Sequence, residues 1–329
     1  MPKIIYPESE QHWLDLRTQD VTSTESAALL GLHPRLTLFE LHQRKAGRYD
    51  VAFEATERTK WGTRLEEAIA RGVGEDYAVK VRRASYYARH DDCRMGSSFD
   101  YEIVGIDSVG RNAYISELVD LYEDHGPGVL EIKNVDALVF LKDWLVEKND
   151  DGAVSIEAPV YIEVQLQHQL ECVNREWGVI AALVGGNRPI VVPRRRDREV
   201  GRKLVTLVDE FWRGVTAGVE PAPDFKLDAN VIAKLYGFAE PGKVLDARGD
   251  ERITSLCAQY TQWADTEKNA REEKQARKAE LLTLIGDAEK VIAEGFTISC
   301  GLVGPAEVKY TREGYRNFKI TPKKGKEAA

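Results

Sequence analysis

The stretch GVLEIKN, residues 128–134, predicts a β-strand that carries two charged side chains. Because side chains alternate between the two faces of a strand, Glu131 and Lys133 project to one side, whereas Leu130 and Ile132 project to the other. A carboxylate and an ammonium therefore emerge together from an otherwise apolar strand. Taken alone, the E-x-K triplet is short and common, and an ion pair on a solvated strand explains it more simply.

A second strand is predicted upstream, in SSFDYEIV at residues 97–104. If it lies beside the first, Asp100 and Glu131 form a carboxylate pair suited to a hard divalent cation such as Mg²⁺, and the Ile132 carbonyl can add a ligand. Lys133 then lies beside a water held by the metal, where it can orient that water or assist its deprotonation.

A third acidic group comes from WGTRLEEAIARGV, residues 61–73, which has helical apolar spacing. On this helix Glu66 shares the inward, apolar face, whereas Glu67 shares the polar one. An inward glutamate is costly unless it is paired or bound to a metal. The alternative is a glutamate at the helix edge that reaches water.

A polar stripe runs along YIEVQLQHQLECVNREWGV, residues 161–179, where Gln165, His168 and Gln169 share one side of a predicted helix. An inward glutamine next to a carboxylate site can bind a water or a phosphate oxygen. We assign that role to Gln165. For Gln169, a place in a surface stripe is plausible, and His168 is expected to be structural or to contact DNA.

The rest of the sequence predicts a layered α/β or α+β domain followed by an extension. The expected boundary lies between 1–222 and 223–329, where proline, glycine and aspartate become frequent. The extension contains a solvated, salt-bridged helix or coiled coil, then a β-hairpin and a basic tail. The predicted elements are two short helices in 10–47 (the first capped by Ser23 or Thr24), a helix at 58–72, strands in 77–134 including one at 112–122, helices at 136–147 and 160–184, a strand in 185–196, and helices at 197–216 and 251–294.

Composition excludes several classes of protein. The 329 residues are 43% hydrophobic and 30% charged, enough for a core, and no apolar run could span a bilayer. The four cysteines are far apart, which argues against a zinc ribbon or an iron–sulfur cluster and favours a reduced, cytoplasmic protein. The net charge of −8 argues weakly against binding to nucleic acid.

The order of these motifs resembles that of the PD-(D/E)xK nuclease superfamily and, more narrowly, of the YqaJ-type viral recombinase group, which includes the lambda exonuclease. The resemblance covers roughly residues 10–222 and continues more weakly to 320. The stretches that carry it are WLDLRTQDVTSTESAALLGL (13–32), GTRLEEA (62–68), SSFDYEIVG (97–105), VLEIKN (129–134), VQLQHQL (164–170), WGVIAALVGGNRPIV (177–191) and FWRGVTAGVEP (211–221).

This resemblance implies a restriction-endonuclease-like core, a central mixed sheet flanked by helices, with a C-terminal helical and β-hairpin extension. It implies a Mg²⁺-dependent 5′-to-3′ exonuclease, with Mn²⁺ as a substitute, that acts on double-stranded DNA ends in phage-type recombination. A single-strand annealing protein would be its partner, a ring-shaped homo-oligomer its assembly, and the cytoplasm of a bacterial host its location. The implied catalytic residues are Glu66, Asp100, Glu131, Lys133 and Gln165, and the implied metal ligands are Glu66, Asp100, Glu131 and the carbonyl of Ile132.

The resemblance also implies a pocket for a 5′ phosphate, formed by Arg17, Ser23 and Thr24 at a helix start, where free N–H groups favour anions. The alternative for Arg17 is a surface ion pair with Asp15 or Asp20. A basic patch is expected to contact DNA through Arg194, Arg195 and Arg196, with Arg188 and Arg198 beside them, and a second lies in the tail.

Some alternatives stay open. The interval between Asp100 and Glu131 is longer than the hairpin usual in the family, so Asp107 and Asp120 are rival ligands. An endonuclease, or a RecB-like repair nuclease of the same superfamily, would carry the same residues. A non-enzymatic DNA-binding scaffold that uses the charged helix has no need of an inward acidic cluster.

Overall fold

The structure is a computed structural model that describes residues 2–49, 56–107, 113–148, 154–312 and 315–320. The chain divides into two compact units, with a boundary after Leu235. The domain boundary expected at residue 222 stays a prediction about functional organisation.

The first unit contains most of the regular structure. Along the chain its elements are β1 (Lys3–Ile5), α1 (Glu10–Gln19), β2 (Val21–Thr22), α2 (Ser26–Leu29), α3 (Leu38–Lys45), α4 (Glu57–Tyr77), β3 (Val79–Arg83), β4 (Tyr87–Arg89), β5 (Met95–Ser98), β6 (Tyr101–Ile106), α5 (Ala113–His125), β7 (Gly128–Val135), α6 (Ala137–Asp143), β8 (Leu145–Lys148), β9 (Val154–Glu157), α7 (Val160–Val173), β10 (Trp177–Val184), β11 (Arg188–Arg195), α8 (Arg198–Ala217) and α9 (Ala229–Leu235).

A five-stranded mixed sheet in the order β11-β10-β7-β6-β3 forms the centre of this unit. Strand β7 is interior, parallel to β10 and antiparallel to β6. A smaller sheet has the order β1-β4-β5-β2, and β8 and β9 form a separate hairpin. The predicted α/β class, with a central mixed sheet flanked by helices, is confirmed.

Helices cover both faces of β7. Leu130 and Ile132 belong to the apolar cluster that contains Ile69 and Val73 of α4. Val129 belongs to the other cluster, together with residues of α7. Burial on both faces explains why this strand is almost continuously apolar, and why the two charged side chains on it stand out.

Several predicted elements are wrong in type or extent. The helix expected over 136–147 ends at Asp143, and the chain continues as strand β8 from Leu145. Residues 112–122, expected to be a strand, lie largely in α5, where Leu118 and Leu121 are buried at helical spacing. The helix expected over 160–184 ends at Asn174, whose φ of 52° caps α7, and the chain continues as β10. The strand expected over 97–104 is two strands, β5 and β6, in different sheets.

The second unit contains a long helix and a hairpin. Helix α10 (Glu251–Ile285) begins after Asp250, whose carboxylate caps it by accepting from the Ile253 N–H, and none of its 35 residues is buried. It ends at Gly286, where φ is +58°, earlier than the residue 294 expected from the sequence. The hairpin of β12 (Lys290–Ala293) and β13 (Phe296–Ser299) follows. Among the described helices, none combines the length and apolarity needed to cross a membrane.

Candidate functional site

Strand β7 presents Glu131 and Lys133 on the same face, where they form an ion pair. Lys133 Nζ lies 2.5 Å from Glu131 Oε1. The Glu131 side chain is only 3% exposed, whereas that of Lys133 is 25% exposed. Burial would lower the pKa of Lys133, but the charges of Glu131 and Asp100 outweigh it and raise this pKa above its ordinary value. Lys133 is therefore a cation at neutral pH in this arrangement.

Asp100 lies in the bend between β5 and β6, and its side chain continues the sheet. The ladder between β6 and β7 ends where Tyr101 faces Leu130. Beyond that point Asp100 Oδ2 accepts a hydrogen bond from the Ile132 N–H over 2.8 Å. Burial, together with the nearby charge of Glu131, raises the pKa of Asp100 to about 8. The two carboxylates are thus close enough to oppose each other's ionisation.

Two glutamines of α7 hold the Glu131 carboxylate from the facing layer. Gln165 Nε2 donates to Glu131 Oε1 over 2.6 Å, and its Oε1 accepts from Lys133 Nζ over 3.1 Å. Gln169 Nε2 donates to Glu131 Oε2 over 2.6 Å and also lies 3.4 Å from the Ser98 carbonyl oxygen. Spacing of four residues puts both amides on one side of the helix.

The interpretation of Gln169 as part of a surface stripe is wrong, because this residue is 1% exposed. The signal that could have found it is its position four residues after Gln165, on a helix that covers an acidic strand. The other member of the stripe, His168, is fully buried, and its Nε2 lies 3.1 Å from the Gly96 carbonyl oxygen. Burial lowers the pKa of His168 to about 4, so it is a neutral structural group.

Glu66 is half-buried on α4, whereas its neighbour Glu67 is exposed, so Glu66 is the inward-pointing residue of the pair. Its Oε2 lies 3.9 Å from a guanidinium nitrogen of Arg83. Burial raises the pKa of Glu66; Arg83 opposes this shift and the charge of Glu131 adds to it. The charge of Glu131 therefore raises the pKa of both Glu66 and Asp100.

The donor set fits a hard divalent cation at two carboxylates. Asp100 and Glu131 supply oxygen ligands, and the repulsion between them would be relieved by a cation that keeps several waters, as Mg²⁺ does. Across the described residues, no three His, Cys, Asp or Glu side chains converge on one point that could hold a metal ion. Both oxygens of Glu131 already accept hydrogen bonds, so a cation would have to displace at least one donor.

The rival aspartates lie elsewhere. Asp107 follows the end of β6, is exposed, and has its carboxylate 3.9 Å from Lys80 Nζ. Asp120 is exposed on α5. Asp100, in contrast, has its carboxylate hydrogen-bonded to the Ile132 N–H of β7.

The region expected to hold a 5′ phosphate differs from the prediction in one respect. Helix α2 begins at Ser26 with Glu25 as its N-cap, so the helix start expected at Ser23 or Thr24 is wrong. The reason is that Thr22 pairs in β2, and the Glu25 carboxylate accepts from its N–H over 2.9 Å. Ser23 is buried and accepts from Ser97 Oγ over 2.9 Å, whereas Thr24 is exposed.

Arg17 is half-buried in the last turn of α1, with its guanidinium 4.7 Å from the Trp13 ring centroid. A lysine that the sequence analysis missed lies beside it. Lys45 Nζ donates to the Arg17 carbonyl oxygen over 2.8 Å and forms a 2.8 Å ion pair with Glu25. Burial lowers the pKa of Lys45, although Glu25 opposes this shift. The charge of Arg17 also lowers the pKa of Lys45, so the two cations are close enough to repel each other.

The arginines expected to contact DNA differ in how they are held. Arg194 forms a two-pronged ion pair with Glu163, with both N–O distances 3.0 Å. Arg196 is 6% exposed and bound to Glu171 at 2.7 Å. Arg195 is exposed, and its guanidinium lies 2.6 Å from His125 Nε2. The basic residues of the tail at 323, 324 and 326 lie outside the described residues.

Comparisons with known proteins give the family. The chain is 27% identical over 272 residues to YqaJ of Bacillus subtilis (strain 168), an alignment that covers 80% of this chain and 76% of that protein. An alkaline exonuclease from Laribacter hongkongensis is 16% identical, with 68% of this chain and 99% of that one covered and a TM-score of 0.44. A phage-related exonuclease from Haemophilus somnus 129PT is 11% identical, with 61% and 96% covered and a TM-score of 0.38.

Residues 12–176 contain every site residue of α4, β7 and α7 described above. Over this stretch the sequence matches the YqaJ-like viral recombinase domain. The match takes in half of the 329 residues, and the chain is therefore a member of the YqaJ-like viral recombinase family.

Proposed function

We propose that this protein is a Mg²⁺-dependent 5′-to-3′ exonuclease that degrades one strand of linear double-stranded DNA from its ends. Its role would be in homologous recombination by strand annealing. Membership of a viral recombinase family supports the role in recombination. The annealing partner, a ring-shaped homo-oligomer and the bacterial cytoplasm belong to the same proposal and rest on the resemblance to the lambda exonuclease group.

The observation that carries the proposal is the set of contacts around β7. Asp100 is hydrogen-bonded to the Ile132 amide, and the charge of Glu131 opposes its ionisation. Lys133 lies within 2.5 Å of Glu131 on the same strand face. Hydrolysis of a phosphodiester needs neutralisation of the charge that builds on the phosphate and a positioned nucleophilic water. The ammonium of Lys133 can stabilise such charge and orient a water, and the carboxylates would contribute through the divalent cation that they hold.

The metal ligands in this proposal are the carboxylates of Asp100 and Glu131, with Glu66 and the Ile132 carbonyl as further oxygen donors. A divalent cation held there would supply Lewis-acid stabilisation of the transferring phosphoryl group. Asp100 would bind it as a carboxylate after losing the proton that its raised pKa favours. Glu131 would exchange one of its amide or ammonium donors for the cation.

Lys133 acts in this proposal as a hydrogen-bond donor and not as a base. Its pKa is raised, so it holds its proton at neutral pH and can orient a water or stabilise charge on a phosphate oxygen. Gln165 contacts both Lys133 and Glu131, which keeps the ammonium and the carboxylate in fixed relation. Gln165 is therefore a positioning residue, and it can turn its amide to a water or phosphate once a cation binds.

The substrate contacts are proposed at two places. Arg17, with Thr24 and Ser23 nearby in sequence, would bind the 5′ phosphate. Lys45 would add a second cation only if the phosphate displaced Glu25, which pairs with it at 2.8 Å. Arg195 is exposed and would contact the phosphate backbone. Arg194 and Arg196 would contribute only if DNA displaced Glu163 or Glu171, because these carboxylates already occupy their guanidinium groups.

Digestion of linear duplexes labelled at either the 5′ or the 3′ end tests the proposal. With Mg²⁺ present, label at the 5′ end of the attacked strand should be released first as small products, and chelation should stop the reaction. Covalently closed circles should survive. Cleavage of circles would instead assign an endonuclease, and release of the 3′ label first would reverse the polarity. Binding of DNA without any metal-dependent hydrolysis would assign a scaffold.

A further inference from the structure

Helix α10 has an apolar seam at both ends that no described residue buries. Counting from Ile253 in steps of three and four gives the a and d positions of a heptad repeat. Their exposure is large for apolar residues, 71% for Trp263 and 78% for Leu284. The apolar members of the seam are Ile253, Leu256, Tyr260, Trp263, Leu281 and Leu284.

The same frame continues through the middle of the helix with polar residues. There the seam positions are occupied by Glu267, Ala270, Lys274 and Arg277. The helix is 35 residues long, or about 52 Å at the usual rise per residue. None of its residues is buried, and surface ion pairs stabilise a helix of this length only a little.

The charges at the centre decide which partner the seam can take. In a parallel, in-register pair of identical helices, each seam residue meets its own copy. Glu267 would then face Glu267, Lys274 would face Lys274, and Arg277 would face Arg277. Three layers of like charge would oppose that pairing.

An antiparallel pair removes the conflict. Residues at a positions then face residues at d positions, and each end of one helix lies beside the opposite end of the other. Trp263 meets Lys274 of the second copy, and Tyr260 meets Arg277. Both contacts place a cation against an aromatic ring, which is attractive. The apolar ends also pack together, because Leu256 then meets Leu281 and Ile253 meets Leu284 of the second copy.

We propose that α10 pairs with α10 of a second copy of this chain as an antiparallel two-stranded coiled coil. The central layer is Glu267 against Ala270, which puts no like charges together. The flanking positions agree: the cations Arg271 and Lys278 lie next to Ala264 and Cys257 of the second copy, not next to cations. Sequence complementarity of the helix with its own reverse is what selects a second copy over an unrelated partner.

Three contacts within the second unit bear on the seam. Tyr260 has the ring of Phe318 edge-on at 5.5 Å between centroids, so one side of Tyr260 is already covered. Arg277 is paired with Glu273 at 3.3 Å and with Glu280 at 2.7 Å on its own helix. These ion pairs hold the guanidinium at the seam, where the second copy's Tyr260 can stack on it. Trp263 and Lys274 are therefore the cleaner pair to test.

Sedimentation equilibrium of the full chain with a charge-swap series tests both the pairing and its direction. Trp263→Lys would set lysine against Lys274 twice per dimer. We expect the dissociation constant of the dimer to rise by about tenfold or more. Adding Lys274→Glu in the same chain converts both contacts to opposite charges and should restore most of the affinity in an antiparallel pair. In a parallel pair the double variant would still set like against like.

The matched control combines Trp263→Lys with Lys268→Glu, which makes the same change of charge on an outer face of α10 and should restore nothing. Helix content and thermal unfolding of the first unit are followed for every variant, because all three positions are exposed and no core packing is altered. A wild-type chain that is monomeric at about 100 µM would overturn the proposal. So would an assembly whose mass none of the variants changes, or a double variant that fails to recover.

Discussion

The Asp100 carboxylate accepts a hydrogen bond from the Ile132 N–H over 2.8 Å, at the point where β6 ceases to pair with β7. A side chain thus takes the place that a neighbouring strand would occupy, and it brings a second carboxyl group to the strand that bears Glu131. Charge and backbone position are therefore tied together, since the carboxylate cannot move without leaving a strand amide unpaired.

Glu131→Ala and Lys133→Ala should each abolish hydrolysis, with rate losses on the order of a thousandfold. The reason is that Glu131 supplies a proposed metal ligand and Lys133 the ammonium beside it. Single-turnover rates at saturating Mg²⁺, with DNA binding measured in parallel, check this. Binding should largely survive in both variants, and near-wild-type turnover of either would remove the site from β7.

Asp100→Asn should be inactive, whereas Asp107→Asn should retain activity. Asparagine keeps the shape of the side chain but removes the charge that a divalent ion needs. Asp107 serves as the matched control because it is exposed and its carboxylate lies 3.9 Å from Lys80. Rates at several Mg²⁺ concentrations check the pair. The reverse pattern would transfer the ligand role to the end of β6.

Gln169→Leu should lower the rate or the apparent affinity for Mg²⁺ by about ten- to a hundredfold, the range found for groups that orient metal ligands. The change leaves Glu131 Oε2 without its 2.6 Å donor in a buried place. Rates are measured against Mg²⁺ concentration. Gln167→Leu is the control on the same helix, because its hydrogen bonds go to the backbone of Arg195 and Asp197 and not to Glu131. Rates of both variants are compared at saturating DNA, so that a weaker Arg195 contact with DNA does not count as a loss at the metal site. Equal effects of both changes would mean that only helix packing was lost.

The metal-free protein should lose stability as pH rises toward 8, because Asp100 keeps its proton when folded and releases it near pH 4 when unfolded. The folded state then binds more protons, so the free energy of unfolding falls with pH. Between pH 6.5 and 8 we expect a loss of about 1.5–2 kcal/mol. His90, with a pKa raised to about 10 by its hydrogen bonds to Cys93 and Glu171, changes stability in the same direction.

Denaturant unfolding of the wild type and Asp100→Asn across this pH range isolates the aspartate, since His90 is common to both. As pH rises, the free energy of unfolding of the wild type should fall relative to that of Asp100→Asn. A difference that does not depend on pH would mean that Asp100 is ionised throughout.

Arg17→Ala should slow digestion of 5′-phosphorylated ends more than that of 5′-hydroxyl ends. A terminal phosphate carries more charge than a diester, and a lost charge-assisted contact costs ~1.5–3 kcal/mol, roughly ten- to a hundredfold. Initial rates on two duplexes that differ only in the 5′ group, at one salt concentration, check this. Equal losses on both would make Arg17 structural, which its contacts with Trp13 and Lys45 also permit.

The strand-and-helix elements nearest the site were predictable because their signals are local. The alternation in GVLEIKN predicts β7, and the apolar spacing predicts the inward face of α4 with Glu66. The run WGVIAALV was not predictable as β10, because a strand covered on both faces is as uniformly apolar as a buried helix.

The remaining differences come from tertiary contacts. The break at Asp100 depends on its hydrogen bond to Ile132, 32 residues away, which no local pattern contains. The start of α2 depends on Glu25 bonding to Thr22 while Thr22 pairs with β5. Burial of Gln169 depends on the carboxylate opposite, and a helix wheel cannot distinguish a surface stripe from one that faces such a group.

The interior position of β7, which is paired on both edges, determines how much of the domain must unfold before this strand opens. Strands with two neighbours open only when most of the domain unfolds, whereas short two-stranded hairpins such as β8–β9 open at much lower free energy. Glu131 and Lys133 therefore keep their register through the small, frequent openings of the periphery. Substitutions, insertions and proteolytic cleavage at the β8–β9 hairpin can therefore be tolerated while Glu131 and Lys133 keep their geometry.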